Sequence, residues 1–84
     1  MNMERARTAV AAHFDEQGRP HVLSFTWRGS VIHPAATGRT WVDAAGRHVL
    51  VMTGAGAVFE LLLDRPNLDW WVVRAPCGFG PLLA

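Results

Sequence analysis

Glycine and proline interrupt this chain about every eight to ten residues, at Gly18 and Pro20, Gly29, Pro34, Gly46, Gly54 and Gly56, and Pro66. Between these breaks the apolar residues alternate rather than cluster at helical spacing. Short alternating segments separated by regular turns are the pattern of a small all-β domain, closed as a barrel or rolled as a strongly twisted sheet. The expected fold is an antiparallel barrel or rolled sheet of about five to seven short strands, SH3-like in size, with little helix.

The clearest strand runs from His21 to Arg28. Leu23, Phe25 and Trp27 point one way and Ser24, Thr26 and Arg28 the other, the mark of a half-buried antiparallel strand. Gly29-Ser30 is read as the tight connection after it, since Gly supplies positive φ at little cost. Val31 to His33 starts the next strand and Pro34 ends it or places it at an edge. Ala35 to Thr40 reads as small and flexible, Trp41-Val42 as a short strand, and Asp43 to Gly46 as a turn.

Arg47 to Thr53 carries Val49, Leu50, Val51 and Met52, apolar on both faces. Such a strand is central, or one face meets a partner. After the turn Gly54-Ala55-Gly56, the segment Ala57–Asp64 puts Ala57, Phe59, Leu61 and Leu63 on one face and Val58, Glu60, Leu62 and Asp64 on the other. Asp69 to Arg74 is the last strand, and its Trp70 and Trp71 cannot both point inward. Arg7 to Phe14 suits a helix by its alanines or a strand by Thr8, Val10, Ala12 and Phe14. The turn Asp15 to Pro20 favours the strand, because it then closes a hairpin. Residues 1 to 6 read as a frayed start, and 75 to 84, rich in Pro and Gly, as an irregular tail.

Eighty-four residues make one domain. Half are apolar and four are Trp, which excludes a disordered chain. The net charge is +1, and every basic residue is Arg. Arg19, Arg28, Arg39 and Arg47 face a single acid, Asp43, in the middle of the chain, whereas acids outnumber bases by one on either side. One cysteine, Cys77, permits no intramolecular disulfide and fits a reducing compartment. No signal peptide begins the chain, and no apolar run is long enough to span a bilayer. A soluble, cytoplasmic protein is expected.

Phe25-x-Trp27-Arg28-Gly29, the lone Trp41, the segment Gly56-Ala57-Val58-Phe59-Glu60-Leu61, Asp64 and a final Trp-bearing strand come in an order that resembles a family of small uncharacterised bacterial domains. These occur alone or appended to proteins resembling lesion-bypass DNA polymerases. The resemblance covers roughly residues 20 to 74. It implies an all-β fold and a DNA-repair context, and brings no activity with it. After Gly29 this chain has Ser30-Val31-Ile32-His33, where the family has an Arg and then an aromatic.

No residue set has catalytic or metal spacing. His13, His21, His33 and His48 include no zinc-type pair, Cys77 has no activating neighbour in sequence, and no nucleophile elbow is present. Glu60 and Asp64 share a strand face and read as solvent-facing acids. Gly54-Ala55-Gly56 lacks the following helix that a phosphate loop needs. The aromatic set Phe25, Trp27, Trp41, Phe59, Trp70 and Trp71 reads mainly as core. Where a ring is exposed beside Arg, it has the chemistry of single-stranded nucleic-acid binding. Arg28, Arg39, Arg47 and Trp71 are therefore the candidate contacts to nucleic acid or a partner. The expectation is a non-enzymatic interaction module that forms a homodimer and needs no cofactor, with a nucleic-acid-associated accessory domain as the alternative.

Overall fold

The computed structural model describes residues 5–76. The expected terminal features within 1–4 and 77–84, including the Cys77 thiol, lie outside the described residues. Eight strands form two antiparallel sheets: β1 (Ala6–Arg7), β2 (Val10–Phe14), β3 (Pro20–Trp27), β4 (Ser30–Ile32), β5 (Ala36–Val42), β6 (Gly46–Met52), β7 (Val58–Asp64) and β8 (Trp70–Arg74). The larger sheet has the order β1-β8-β7-β6-β5 and the smaller the order β2-β3-β4. Neither sheet closes on itself, and eight strands replace the expected five to seven. No helix occurs among the described residues.

The chain passes between the sheets at two corners. At the first, the Thr8 amide donates to Trp70 O in the larger sheet. The Thr8 hydroxyl donates to Thr26 O at 2.7 Å and accepts from the Thr26 amide at 3.0 Å, which ties the same residue to the smaller sheet. This corner divides the expected single strand of residues 7–14 into β1 and β2. At the second corner Pro34 ends β4, and the Ala35 amide donates to Met52 O.

Val22 and Phe25 from the smaller sheet meet Val49, Val51, Phe59, Leu61 and Val72 from the larger one. All seven are buried. Phe25 stands edge-on to Phe59 with ring centres 5.0 Å apart, and Trp27 does so at 5.7 Å. Offset and edge-on contacts of this kind match positive ring edges to negative faces.

Three β-bulges change which side chains face the core. On β3, Ala11 pairs with Ser24 but Ala12 pairs with Val22, so Leu23 is the extra residue. The alternation restarts there, Val22 and Phe25 point inward, and Leu23 is 59% exposed. This corrects the grouping of Leu23 with Phe25 and Trp27. On β5, Gly38 and Arg39 together oppose Leu50, which makes Ala36 to Thr40 part of a strand and not a flexible connection. On β8, Val73 is the extra residue beside Glu60 and Leu61.

The β3–β4 loop is Arg28-Gly29, with φ of 50° and 82°, and Ser30 already pairs with Trp27. Two consecutive positive φ values are those of a type I′ hairpin turn, whose twist suits the flanking strands. The expected Gly29-Ser30 connection is thus displaced by one residue, and Arg28 belongs to the turn rather than to the strand end.

Candidate functional site: the outer face of the larger sheet

The larger sheet has two apolar faces. Its inner face forms the core. On the outer face the pairings Arg7↔Trp71, Trp71↔Leu62, Leu62↔His48 and His48↔Trp41 line up one row across all five strands. The next row holds Arg74, Glu60 and Leu50, and the one beyond holds Val58, Met52 and Ala36. An antiparallel sheet with one face in the core normally shows polar side chains on the other. Here Leu62 is fully buried and Val73 is buried with it, while Met52 and Val58 are 44% and 41% exposed.

A charged network sits in the middle of this face. His48 Nδ1 donates to Glu60 Oε2 at 2.7 Å, and both side chains are only 11% exposed. Asp43 Oδ2 lies 2.9 Å from His48 Nε2. That approach is short, but Nε2 has no aligned hydrogen-bond partner, so it is a close polar contact rather than a hydrogen bond. The His48 ring, and after it the Ala45 amide, hold the Asp43 carboxyl below its ordinary value. Arg74 Nε stands 3.6 Å from Glu60 Oε1 at the solvent side. Trp41 lies flat on the imidazole, with ring centres 5.0 Å apart and planes inclined by 1°. One nitrogen of His48 is thus bonded to Glu60, the other faces Asp43, and one ring face is covered by Trp41.

The four candidate contact residues do not converge. Arg28 is in the β3–β4 turn of the smaller sheet, over the Trp27 ring at 5.0 Å. Arg39 is in the β5 bulge, over Trp41 at 5.4 Å. Arg47 neighbours His48 on β6 and so points to the opposite face, where its Nη1 donates to Thr40 Oγ1. Trp71 is in the outer row, capped by Arg7 at 4.9 Å and Arg5 at 5.8 Å. Trp27, Trp41 and Trp71 therefore already carry an arginine on the ring, and a nucleobase would have to displace it. The outer face also carries Asp43, Glu60 and Asp64 among its arginines, so its charge is mixed.

Sequence reasoning paired Glu60 with Asp64, and the structure pairs it with His48. Asp64 turns to the β7–β8 loop, where the Asn67 amide chiefly holds its carboxyl below the ordinary value. Residues 48 and 60 are twelve apart and meet only because the β6–β7 hairpin is in this register. A buried-strand reading of Arg47–Thr53 was the one signal that His48 was not a surface histidine.

A concavity of about 340 Å³ lies between the β2–β3 turn and the β5 bulge, lined by Asp15, Arg19, His21, Thr37, Gly38 and Thr40. Its charges are satisfied internally, since Asp15 contacts both Arg19 and His21. No family model, curated protein or solved structure matches this chain. No helix among the described residues is long and apolar enough to cross a membrane.

Proposed function

We propose that the protein is an interaction module that pairs with a second copy of itself through the outer face of the larger sheet. The observation that carries this reading is the second apolar face: Ala36, Leu50, Met52 and Val58 continue outward from buried Leu62, on a sheet whose other side is already the core. Exposed apolar patches of this kind mark association sites. A two-fold dimer is the simplest cover, because one patch then meets itself. The rim suits self-pairing, since Arg74 and Asp43 present both signs of charge with their side chains 67% and 51% exposed.

Sedimentation equilibrium of the wild type and of a Met52→Glu/Val58→Glu variant tests the proposal. The wild type is expected to be a dimer at micromolar concentration, and the variant a folded monomer with an unchanged circular dichroism spectrum. A monomeric wild type rejects it.

A further inference from the structure

On the opposite side of the molecule, the β2–β3 hairpin brings two histidines together. His13 and His21 are eight residues apart and directly paired across the strands. Both are exposed on the outer face of the smaller sheet. Opposed side chains in an antiparallel pair start from Cβ atoms about 4.5–5.5 Å apart. Their ring centres are 6.2 Å apart, with planes inclined by 38°. A metal bound about 2.1 Å from one nitrogen of each ring holds the ring centres about 5.3 Å apart at a tetrahedral angle and about 6.5 Å apart when the two nitrogens stand opposite each other. The observed 6.2 Å lies between these values, and rotations that bring the two exposed rings about 1 Å closer turn their nitrogens to a common point.

Asp15 supplies the third element. Its Oδ1 accepts from the Gln17 and Arg19 amides, both at 2.9 Å, which fixes the carboxylate on the turn. Its Oδ2 lies 3.2 Å from His21 Nε2. Against a carboxylate oxygen Nε2 of His21 is the donating nitrogen, which leaves Nδ1 to ligate. A carboxylate behind an imidazole in this way is the usual outer support of a metal-ligating histidine. Arg19 Nε, 3.6 Å from Oδ2, is the nearest positive charge, and it is engaged with the same carboxylate and with Gln17.

We infer that His13 and His21 form a two-imidazole site for a borderline divalent transition metal such as Zn²⁺ or Ni²⁺, with Asp15 orienting His21 and solvent completing the coordination. Imidazole pairs suit these ions over Mg²⁺ or Ca²⁺, which prefer oxygen. No group of three protein ligands is assembled among the described residues, so the site is an open one. It stands apart from the proposed dimer face, being on the other sheet.

Calorimetric titration of the full chain with Zn²⁺ tests the inference, with His33→Ala as the control for an unrelated surface histidine. One ion per chain is expected. His13→Ala and His21→Ala each weaken binding at least tenfold, while His33→Ala leaves it unchanged. Asp15→Asn keeps the Oδ1 acceptor but loses the carboxylate, and weakens binding about tenfold. Both histidines are exposed, so the variants keep the wild-type circular dichroism spectrum. Equal affinity in the wild type and the His13 or His21 variants overturns the site, as does a loss that follows His33 instead.

Discussion

The Trp41 indole lies parallel to the His48 imidazole, and the same imidazole donates to Glu60 at 2.7 Å. One stacked ring thus covers a nearly buried histidine–carboxylate hydrogen bond on the outer side of a sheet. A pair removed from water is strengthened, but losing either partner leaves the other costly to keep there.

His48→Ala leaves the Glu60 carboxylate with only the exposed Arg74, 3.6 Å away. It is expected to lower stability by about 2–3 kcal/mol, measured by urea unfolding. Glu60→Ala has a similar effect, and the double variant costs clearly less than the two single costs added together. Simple additivity would show that the contact contributes little.

Gly46 closes the β5–β6 turn at φ 146°. A Cβ there would meet Leu63 O, and would come within 2.9 Å of the Arg65 amide nitrogen. Both neighbours are backbone and cannot swing aside. Gly46→Ala is therefore expected to cost about 3 kcal/mol or more, whereas Gly54→Ala, with open space around it, stays within about 1 kcal/mol. Equal thermal midpoints for the two variants would contradict the packing at Gly46.

Arg28 holds a left-handed conformation that side chains disfavour. Arg28→Gly is expected to raise stability by up to about 1 kcal/mol, because the type I′ turn prefers Gly or Asn at both central positions. A loss of stability would mean that the Arg28–Trp27 contact outweighs the backbone strain.

Trp27 is half-buried against Phe59, and Leu23 is bulged outward. Trp27→Ala should cost about 3 kcal/mol, near the low end for a buried ring. Leu23→Ala should cost less than about 1 kcal/mol. The alternation of the sequence would give the two residues similar weight, so unfolding midpoints of the two variants separate the bulge from a regular strand.

Acid should weaken the fold, with a definite sign. Asp15 is lowered to about 2, and the Asp43 and Asp64 carboxyls are lowered as well. A carboxyl whose folded value lies below its unfolded value contributes stability at neutral pH, and that stability is lost as pH falls through the folded value. For Asp15 the loss falls between about pH 4 and pH 2. Urea midpoints of Asp15→Asn should change less over that interval than those of the wild type, and an identical slope would remove the effect.

Much of the fold could be read before the structure. The β class, the turns at Asp15–Pro20, Asp43–Gly46 and Gly54–Gly56, and the opposed directions of Trp70 and Trp71 all come from local chemistry: positive φ, missing amide hydrogens and a period of two. The double apolar character of Arg47–Thr53 also showed that one sheet would have two faces to cover. The candidate site was less legible. Trp71 was singled out and sits in the outer row, but Arg28 and Arg47 point to other surfaces, and His48 and Glu60 were passed over.

The reason is the nature of a strand. Alternation within one segment tells which side chains share a face, until an extra residue shifts the count. Nothing local marks Leu23, Gly38-Arg39 or Val73 as bulges, because a bulge is a mismatch between two strands. In the same way His48 with Glu60, and His13 with His21, meet through register across a hairpin, and register depends on how both sheets bury their apolar residues together. This chain's sequence determined that it forms short strands and where they turn. Only the tertiary structure decided which faces those strands present and which charged groups meet on them.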